Sequence, residues 1–438
     1  MAKRILVNFN DCVGKIKPMH AINNAPLLGA TSELFHYLGE AKIPYSRLHD
    51  TGGAYGNNRF VDIENIFRNF DADENSPQAY DFAFTDWLME ELDKQGVKPF
   101  FRLGATIENE QKIKAYRIFP PKDNFKWARI CEHIIAHYNE GWANGYHMGI
   151  KYWEIWNEPD NYPDIADNNM WKGTFEEYIE LYKTAAVHLK KRFGDSIKVG
   201  GYASCGFYAL LDGYNPEAKS TNRTEYFTEC FHKFMRVISD SSIPLDFFSW
   251  HSYSGVEANV IYASYAREQL DKYGYENTES ILNEWNMGIN QRGTLKDSAD
   301  ISANILTLQN TSVDMLMYYD GQVHGSYQGL FNPIVYEPFK AYYIFKAFSY
   351  LYELGTQVRV DNSNDDICCV AAKNGKNTAV MITNRGNDDE IFLELLGIDS
   401  DNFEIYRLNQ EETMENSETY KKADTVMLKQ YETILILG

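Results

Sequence analysis

Cysteine is scarce in this chain: six residues in 438, none at CxxC spacing. That excludes a disulfide framework and the paired-cysteine zinc sites. Basic residues are also short, 42 Lys and Arg against 62 Asp and Glu, for a formal net charge of −20. A field of that sign repels nucleic acid and anionic lipid, whose binding depends on Lys and Arg meeting phosphates. No apolar run reaches the about 18 residues that a membrane span needs. The segment Met1-Ala2-Lys3-Arg4-Ile5-Leu6-Val7-Asn8 turns polar too soon for a signal peptide, so a cytoplasmic location is expected. Gly52-Gly53 and Gly200-Gly201 fit no phosphate fingerprint and read as tight backbone. His133 and His137 have the spacing of a helical metal pair but lack the glutamate of HExxH. Neither a metal nor a cofactor is expected.

Aromatics are plentiful at 15%, with 31 Tyr and 8 Trp, enough for a large core and for a ligand that stacks on rings, as sugars do. The chain exceeds the length at which one core stops growing, so a large domain and a small one are expected. Short apolar runs alternate with helical stretches. Thr174-Phe175-Glu176-Glu177 is a capping box, and behind it Tyr178, Ile179, Tyr182, Ala185, Ala186 and Leu189 form a helical stripe. Strands are expected near Ile16–Asn23, Tyr45–His49, Val97–Leu103, Lys151–Asn157, Ile197–Tyr202, Leu245–His251, Ser280–Trp285 and Val313–Tyr319. Eight such units suggest a (β/α)8 barrel over 11–353, although an open doubly wound sheet writes much the same pattern. After Leu354 the pattern becomes short strands. Lys373-Asn374-Gly375-Lys376 signals a hairpin, and 354–438 is expected to be a small antiparallel β-sandwich, with a strand from 4–10 as a possible addition.

Two strand ends carry the chemistry. The fourth closes with Trp153-Glu154-Ile155-Trp156-Asn157-Glu158-Pro159-Asp160, the seventh with Leu282-Asn283-Glu284-Trp285. Catalytic side chains of such barrels sit at the C-terminal strand ends. Two carboxylates facing each other across the mouth form the pair that glycoside hydrolysis needs. Strand alternation places Tyr152, Glu154, Trp156 and Glu158 on one side, and Pro159 biases Glu158 toward an extended backbone. The long polar loop Asn161–Trp171, with Tyr162 and Trp171, would close the pocket or form an aglycone subsite. Arg47 and Arg102 end early strands; they would either ionise a catalytic carboxylate or pair with Glu154 inside the barrel.

These motifs resemble the acid/base and nucleophile segments of clan A retaining glycoside hydrolases, and within that clan glycoside hydrolase family 39, the β-xylosidase family. Arg47-Leu48-His49-Asp50 and Trp250-His251-Ser252-Tyr253 add to the likeness. The resemblance implies a metal-free, exo-acting β-xylosidase on small oligosaccharides, with Glu158 as acid/base and Glu284 as nucleophile. It also implies that Asn157 bonds the sugar's 2-hydroxyl, that Tyr253 bonds the nucleophile, and that His49 and His251 line the pocket. Asp50 and Tyr319 would shape that pocket, and Trp285 would stack on the sugar or pack in the core. Glu158 must be protonated near neutral pH, which an apolar setting from Trp153 and Trp156 and the charge of Glu284 would favour. Two positions depart from the family pattern. Asn283 precedes the glutamate where Thr is common, and Asp50 stands where the xylosidases tend to carry Gly. An acid there points to an arabinosidase or galactosidase as the alternative. A catalytically silent carbohydrate-binding barrel is the other reading.

Overall fold

In the computed structural model, residues 3–29, 31–51, 60–106, 118–211, 221–323, 329–422 and 424–438 are described. Gly52-Gly53 lies outside them. The chain begins with β1 (Lys3–Lys15) and then enters a ring of parallel strands. These are β2 (Ala21–Asn23), β3 (Tyr45–Leu48), β4 (Lys98–Leu103), β5 (Tyr152–Ile155), β6 (Lys198–Ser204), β7 (Phe247–Ser252), β8 (Glu279–Trp285) and β9 (Met315–Tyr318). The ring closes where Ala21 pairs Met317 and Ile22 pairs Tyr318, which decides for the barrel over the open sheet.

Nine α-helices are found among the described residues: α1 (Phe35–Glu40), α2 (Ile63–Ile66), α3 (Ala83–Lys94), α4 (Asn124–Glu140), α5 (Phe175–Phe193), α6 (Asn222–Asp240), α7 (Val256–Lys272), α8 (Leu295–Leu308) and α9 (Lys340–Leu354). The capping box opens α5: Thr174 Oγ1 accepts from Glu177 N at 3.2 Å, and Glu177 Oε2 accepts from Thr174 N at 2.8 Å. Outward strand residues such as Phe101, Trp153, Val199, Phe248 and Leu282 share one core with the buried helix faces. At Gly200 a Cβ would lie 2.1 Å from Phe247 O, so β6 and β7 can approach only without a side chain there.

Beyond α9 come β10 (Thr356–Asn362), β11 (Ile367–Asn374), β12 (Asn377–Asn384), β13 (Asp389–Leu396), β14 (Asn402–Leu408), β15 (Thr413–Lys421), β16 (Thr425–Leu428) and β17 (Thr433–Leu437). With β1 they form one mostly antiparallel, nine-stranded sheet, ordered β15-β14-β17-β12-β11-β10-β1-β13-β16, with its own apolar core around Ile5, Val7, Leu393, Ile405 and Ile436. Gly375, at φ 59°, turns the β11–β12 hairpin. The chain leaves the sheet at Lys15 and re-enters it at Thr356, its pairing partner, and Ile16 N donates to Gly355 O at 2.9 Å.

The barrel interior is layered. Ala21, Phe100, Tyr152, Phe247, Ile281, Met315 and Met317 form an apolar plug. Inward positions further along the strands are polar. There the fully buried Arg47 donates through Nε to Glu154 Oε2 at 2.7 Å and through Nη1 to Asn23 Oδ1 at 3.0 Å. Asn283 Nδ2 donates to Glu154 Oε1 at 2.6 Å, and Asn23 Nδ2 donates to the carbonyls of Asn283 and Met317. The network thus ties β2, β3, β5, β8 and β9 from inside.

Removing one partner of a buried ion pair leaves the other charge uncompensated. Arg47→Ala is expected to destabilise the fold by roughly 3–5 kcal/mol, read from urea unfolding. A loss within about 1 kcal/mol would mean that the interior tolerates free carboxylates.

Candidate active site

The mouth is shaped by two breaks in strand regularity. In β8 the register with β7 runs from Trp250↔Leu282 to His251↔Glu284, skipping one residue. Such a bulge puts two consecutive residues, Asn283 and Glu284, into the interior. It also turns Trp285 outward, where it is fully buried with its ring 5.2 Å from that of Tyr318 in the core around the barrel. Trp285 is therefore a packing residue, and no stacking on a sugar follows for it. The second break ends β5. Trp156 has φ 72° and Glu158 φ 46°. The alternation expected from Tyr152 through Glu158 stops at Trp156, whose ring packs beside Trp127 and Trp171. Glu158 is left-handed rather than extended: Pro159 disfavours the right-handed helical region for its neighbour without requiring a strand.

Glu284 is clamped. Arg47 Nη1 donates to its Oε1 at 2.7 Å and Tyr253 OH to its Oε2 at 2.9 Å. His49 Nε2 lies 3.7 Å from Oε1. Glu158 has different company: His251 Nδ1 lies 2.6 Å from its Oε1, and Asn161 Nδ2 donates to its Oε2 at 2.8 Å. His251 Nδ1 also lies 3.4 Å from Glu284 Oε2. One donor atom from each of Glu158, His251 and Glu284 falls within 4.8 Å of the others. These three could in principle ligate a metal, but the contact at 2.6 Å is a hydrogen bond, closer than two donors on one tetrahedral ion.

The two carboxylates differ electrostatically. Burial works to raise Glu158, but the hydrogen bond and charge of His251 outweigh it and hold the carboxyl below its ordinary range. Burial works to lower His251, yet the charge of Glu284 and the bond to Glu158 raise it. The direction for Glu158 is thus opposite to the one an apolar setting gives, because Trp153 and Trp156 pack behind the strand while an imidazole faces the carboxylate. Asp160 is pushed up to about 7 by burial and then by the charge of Glu158. It accepts from Ser204 Oγ at 3.0 Å and Cys205 N at 3.3 Å.

Other expected residues divide clearly. Asn157 Oδ1 accepts from Arg47 Nη2 at 2.5 Å, which leaves its NH2 group without a partner among the described residues. Tyr319 OH donates to Asp50, His49 Nε2 lies 3.3 Å from Asp50 Oδ1, and the Tyr319 ring stands 6.4 Å from that of Tyr253. Arg102 does not support the nucleophile. Its Nη2 donates to Asp62 Oδ1 at 2.7 Å, His49 O at 2.8 Å and Thr106 Oγ1 at 3.2 Å. The nearby buried Asp62 claims this cation, which ties down the segments beyond β3 and β4. Trp171 is buried, with Nε1 donating to Thr174 O at 2.8 Å, so it is no part of an aglycone site. His137 engages Asp86 at 3.0 Å and Trp142 O at 2.8 Å, a structural role. Asn23 and Asn161 were not anticipated. Asn161 had a signal, three residues past Glu158 on the same loop; Asn23 had none.

His251 is expected to titrate above the ordinary histidine range, its charged form persisting to higher pH. Glu158→Gln removes the partner's charge, so the His251 pKa should fall. Imidazole NMR checks both; a variant His251 titrating at or above the parent's value would refute this assignment.

The sequence pattern of glycosyl hydrolases family 39 matches residues 4–286. A β-xylosidase from Caldicellulosiruptor saccharolyticus is 28% identical over 202 residues, 44% of this chain and 34% of that protein. One from Geobacillus stearothermophilus is 24% identical over 225 residues, 49% of this chain and 39% of that protein. The matched stretches thus span less than half the length of these relatives. Among solved structures, a glucosidase from Croceicoccus marinus superimposes with TM-score 0.79 at 18% identity, covering 100% of this chain and 98% of that one. A monomeric β-xylosidase from Caulobacter crescentus CB15 gives 0.72 at 15% identity, covering 100% and 99%. The structural likenesses speak for the fold. The family match takes in well over half of the chain, so it belongs to the glycosyl hydrolases family 39.

Proposed function

We propose that this chain is a retaining, exo-acting glycoside hydrolase of β-xylosidase type. The observation that carries the reading is the pair of carboxylates, donor atoms within 4.8 Å, in unlike environments. Double displacement needs carboxylates about 5–5.5 Å apart, whereas inversion needs room for water, about 6.5–9.5 Å. The names of the matched relatives and the polar groups at the mouth, Asn157, His49 and Tyr319, support a β-xyloside substrate.

In this reading Glu284, oriented by Arg47 and Tyr253, attacks the anomeric carbon. The bond to the leaving oxygen breaks, and that oxygen takes its proton from Glu158. The proton comes from His251 Nδ1, one hydrogen bond away at 2.6 Å. The glycosyl ester on Glu284 is then cleaved by water, which gives a proton to Glu158 as it attacks the same carbon, and that proton returns to His251 Nδ1 along the same hydrogen bond. The free NH2 of Asn157 is placed for the 2-hydroxyl, since its oxygen is committed to Arg47. Asp50, Tyr319 and His49 offer a polar wall to the remaining hydroxyls. The Asp50 carboxylate keeps an α-L-arabinoside or β-galactoside as the alternative glycone, because a site built for a given hydroxyl strongly rejects analogues lacking it.

A panel of aryl β-xyloside, α-L-arabinoside and β-galactoside tests the class. No turnover of any by folded protein would overturn the reading, and tight sugar binding without turnover would leave a carbohydrate-binding barrel. Glu284→Gly should lose activity and regain it with azide, yielding a glycosyl azide of inverted configuration. A product of retained configuration would mean that the two roles are exchanged. Glu158→Ala should slow poor leaving groups by about 10²–10⁴-fold and activated aryl glycosides much less.

A further inference from the structure

The segment that carries Glu158 is held in an unfavourable shape by a group the chemistry above does not use. Glu158 lies at φ 46°, and a residue other than glycine stays in that left-handed region only where its surroundings over-determine it. The backbone supplies part of the hold: Glu158 N donates to Ala203 O at 3.2 Å, and Asn161 N donates to Glu158 O at 3.0 Å. Asp160 supplies the rest. Its Oδ2 accepts from Ser204 Oγ at 3.0 Å and its Oδ1 from Cys205 N at 3.3 Å. Both partners stand at the end of β6, so one carboxyl bridges from the loop after β5 to the neighbouring strand.

Asp160 lies in sequence between the two residues that aim the proposed acid/base carboxyl: Glu158 itself and Asn161, whose Nδ2 donates to Glu158 Oε2 at 2.8 Å. Asp160 is fully buried. The ionisable groups that share its field are Glu158 on the loop, Tyr202 on β6, Cys205 just beyond it, Tyr178 on α5, and Tyr226 and Cys230 on α6. Among the described residues no lysine, arginine or histidine pairs with it. A buried acid without a cation is costly. What it provides is direction: two oxygens, each fixed by a donor on another element, set where the chain on either side must run.

We propose that Asp160 is a positioning residue for the proton-transfer step: by fastening the loop to the end of β6 it holds the Glu158 carboxyl where it meets both the leaving oxygen and His251. Buried as it is, Asp160 acts through Glu158 and not on the substrate. Its effect on turnover rests on the glycosidase reading; the contact between Glu158 and His251 reports the anchor without turnover.

Asp160→Ala and Asp160→Asn remove the same charge, and only the amide can still bond Ser204 and Cys205. Comparing kcat/KM on an alkyl and a dinitrophenyl β-xyloside isolates proton donation, since dinitrophenolate leaves without a proton. Asp160→Ala is expected to lower the value for the alkyl glycoside about 100-fold, the scale of a misplacement of about 1 Å, and that for the dinitrophenyl glycoside much less. Asp160→Asn should recover most of the loss. Ser204→Ala removes one bond with the loop sequence intact and should act in the same direction by a smaller factor, which keeps the test decisive should Asp160→Ala fold poorly. Imidazole NMR is the second readout. The His251 pKa should fall in Asp160→Ala, as Glu158 moves away from Nδ1, and stay closer to the parent's in Asp160→Asn. Equal losses on the two glycosides, or Asp160→Asn no better than Asp160→Ala in both readouts, would overturn the assignment. A parent that hydrolyses neither glycoside would count against the glycosidase reading alone, and the histidine titration would still decide the anchor.

Discussion

One buried cation organises this molecule. Arg47 sits at the level where the barrel's apolar plug gives way to the mouth, and its donors reach Glu154, Asn23, Glu284 and Asn157. A charge in that position is costly unless every donor is met. Burial opposes the charge, but Glu154 and Glu284 more than offset this and hold the guanidinium above its ordinary range. Several features follow from that requirement. Glu154 must face inward, Asn283 must satisfy its other oxygen, and Asn157 must present oxygen to the arginine and so nitrogen to the pocket. Stability and the proposed chemistry therefore share one group: the interaction that binds five strands from inside also aims the proposed nucleophile.

The same logic separates the two carboxylates at the barrel mouth. Glu284 faces a permanent cation and a phenol. Glu158 faces an imidazole whose charge is exchangeable and which itself lies between both acids. Side chains of identical chemistry are thus given unlike surroundings by their neighbours, the usual way in which a site prepares one carboxyl as acid and another as nucleophile.

Much of this was visible in the linear order of residues. Glu158 and Glu284 stood out because strand-helix alternation put both at strand ends, where such barrels do chemistry. The hairpin at Gly375 and the cap at Thr174 were legible because short-range backbone rules act within four residues. The mouth was harder. Trp156 was expected on the same side as Glu158, and Trp285 on the sugar or in the core, because alternation was carried past the point where it stops. A skipped residue in β8 and left-handed backbone at Trp156 and Glu158 redirect both rings, and neither break has a signature in side-chain type. Arg47 and Arg102 are indistinguishable by position at a strand end. Only the buried Asp62, forty residues from Arg102, decides which arginine is free to serve the site. The partner of Glu158 was equally hidden, since His251 lies ninety-three residues away in the chain.

The pairing of Lys15 with Thr356, and the bond from Ile16 to Gly355, carry a consequence for how the chain is assembled. The whole barrel is an excursion out of a single sheet, and its entrance and exit are adjacent. The first strand waits between β10 and β13, strands more than three hundred residues downstream, before it has its neighbours. Contacts of such separation carry the entropy of closing the intervening loop. The sheet acts as a clasp across the two ends of the barrel segment. The barrel's segment, by contrast, starts and stops at one point in space, the geometry in which a domain can be inserted into, or exchanged within, a host sheet without disturbing its register.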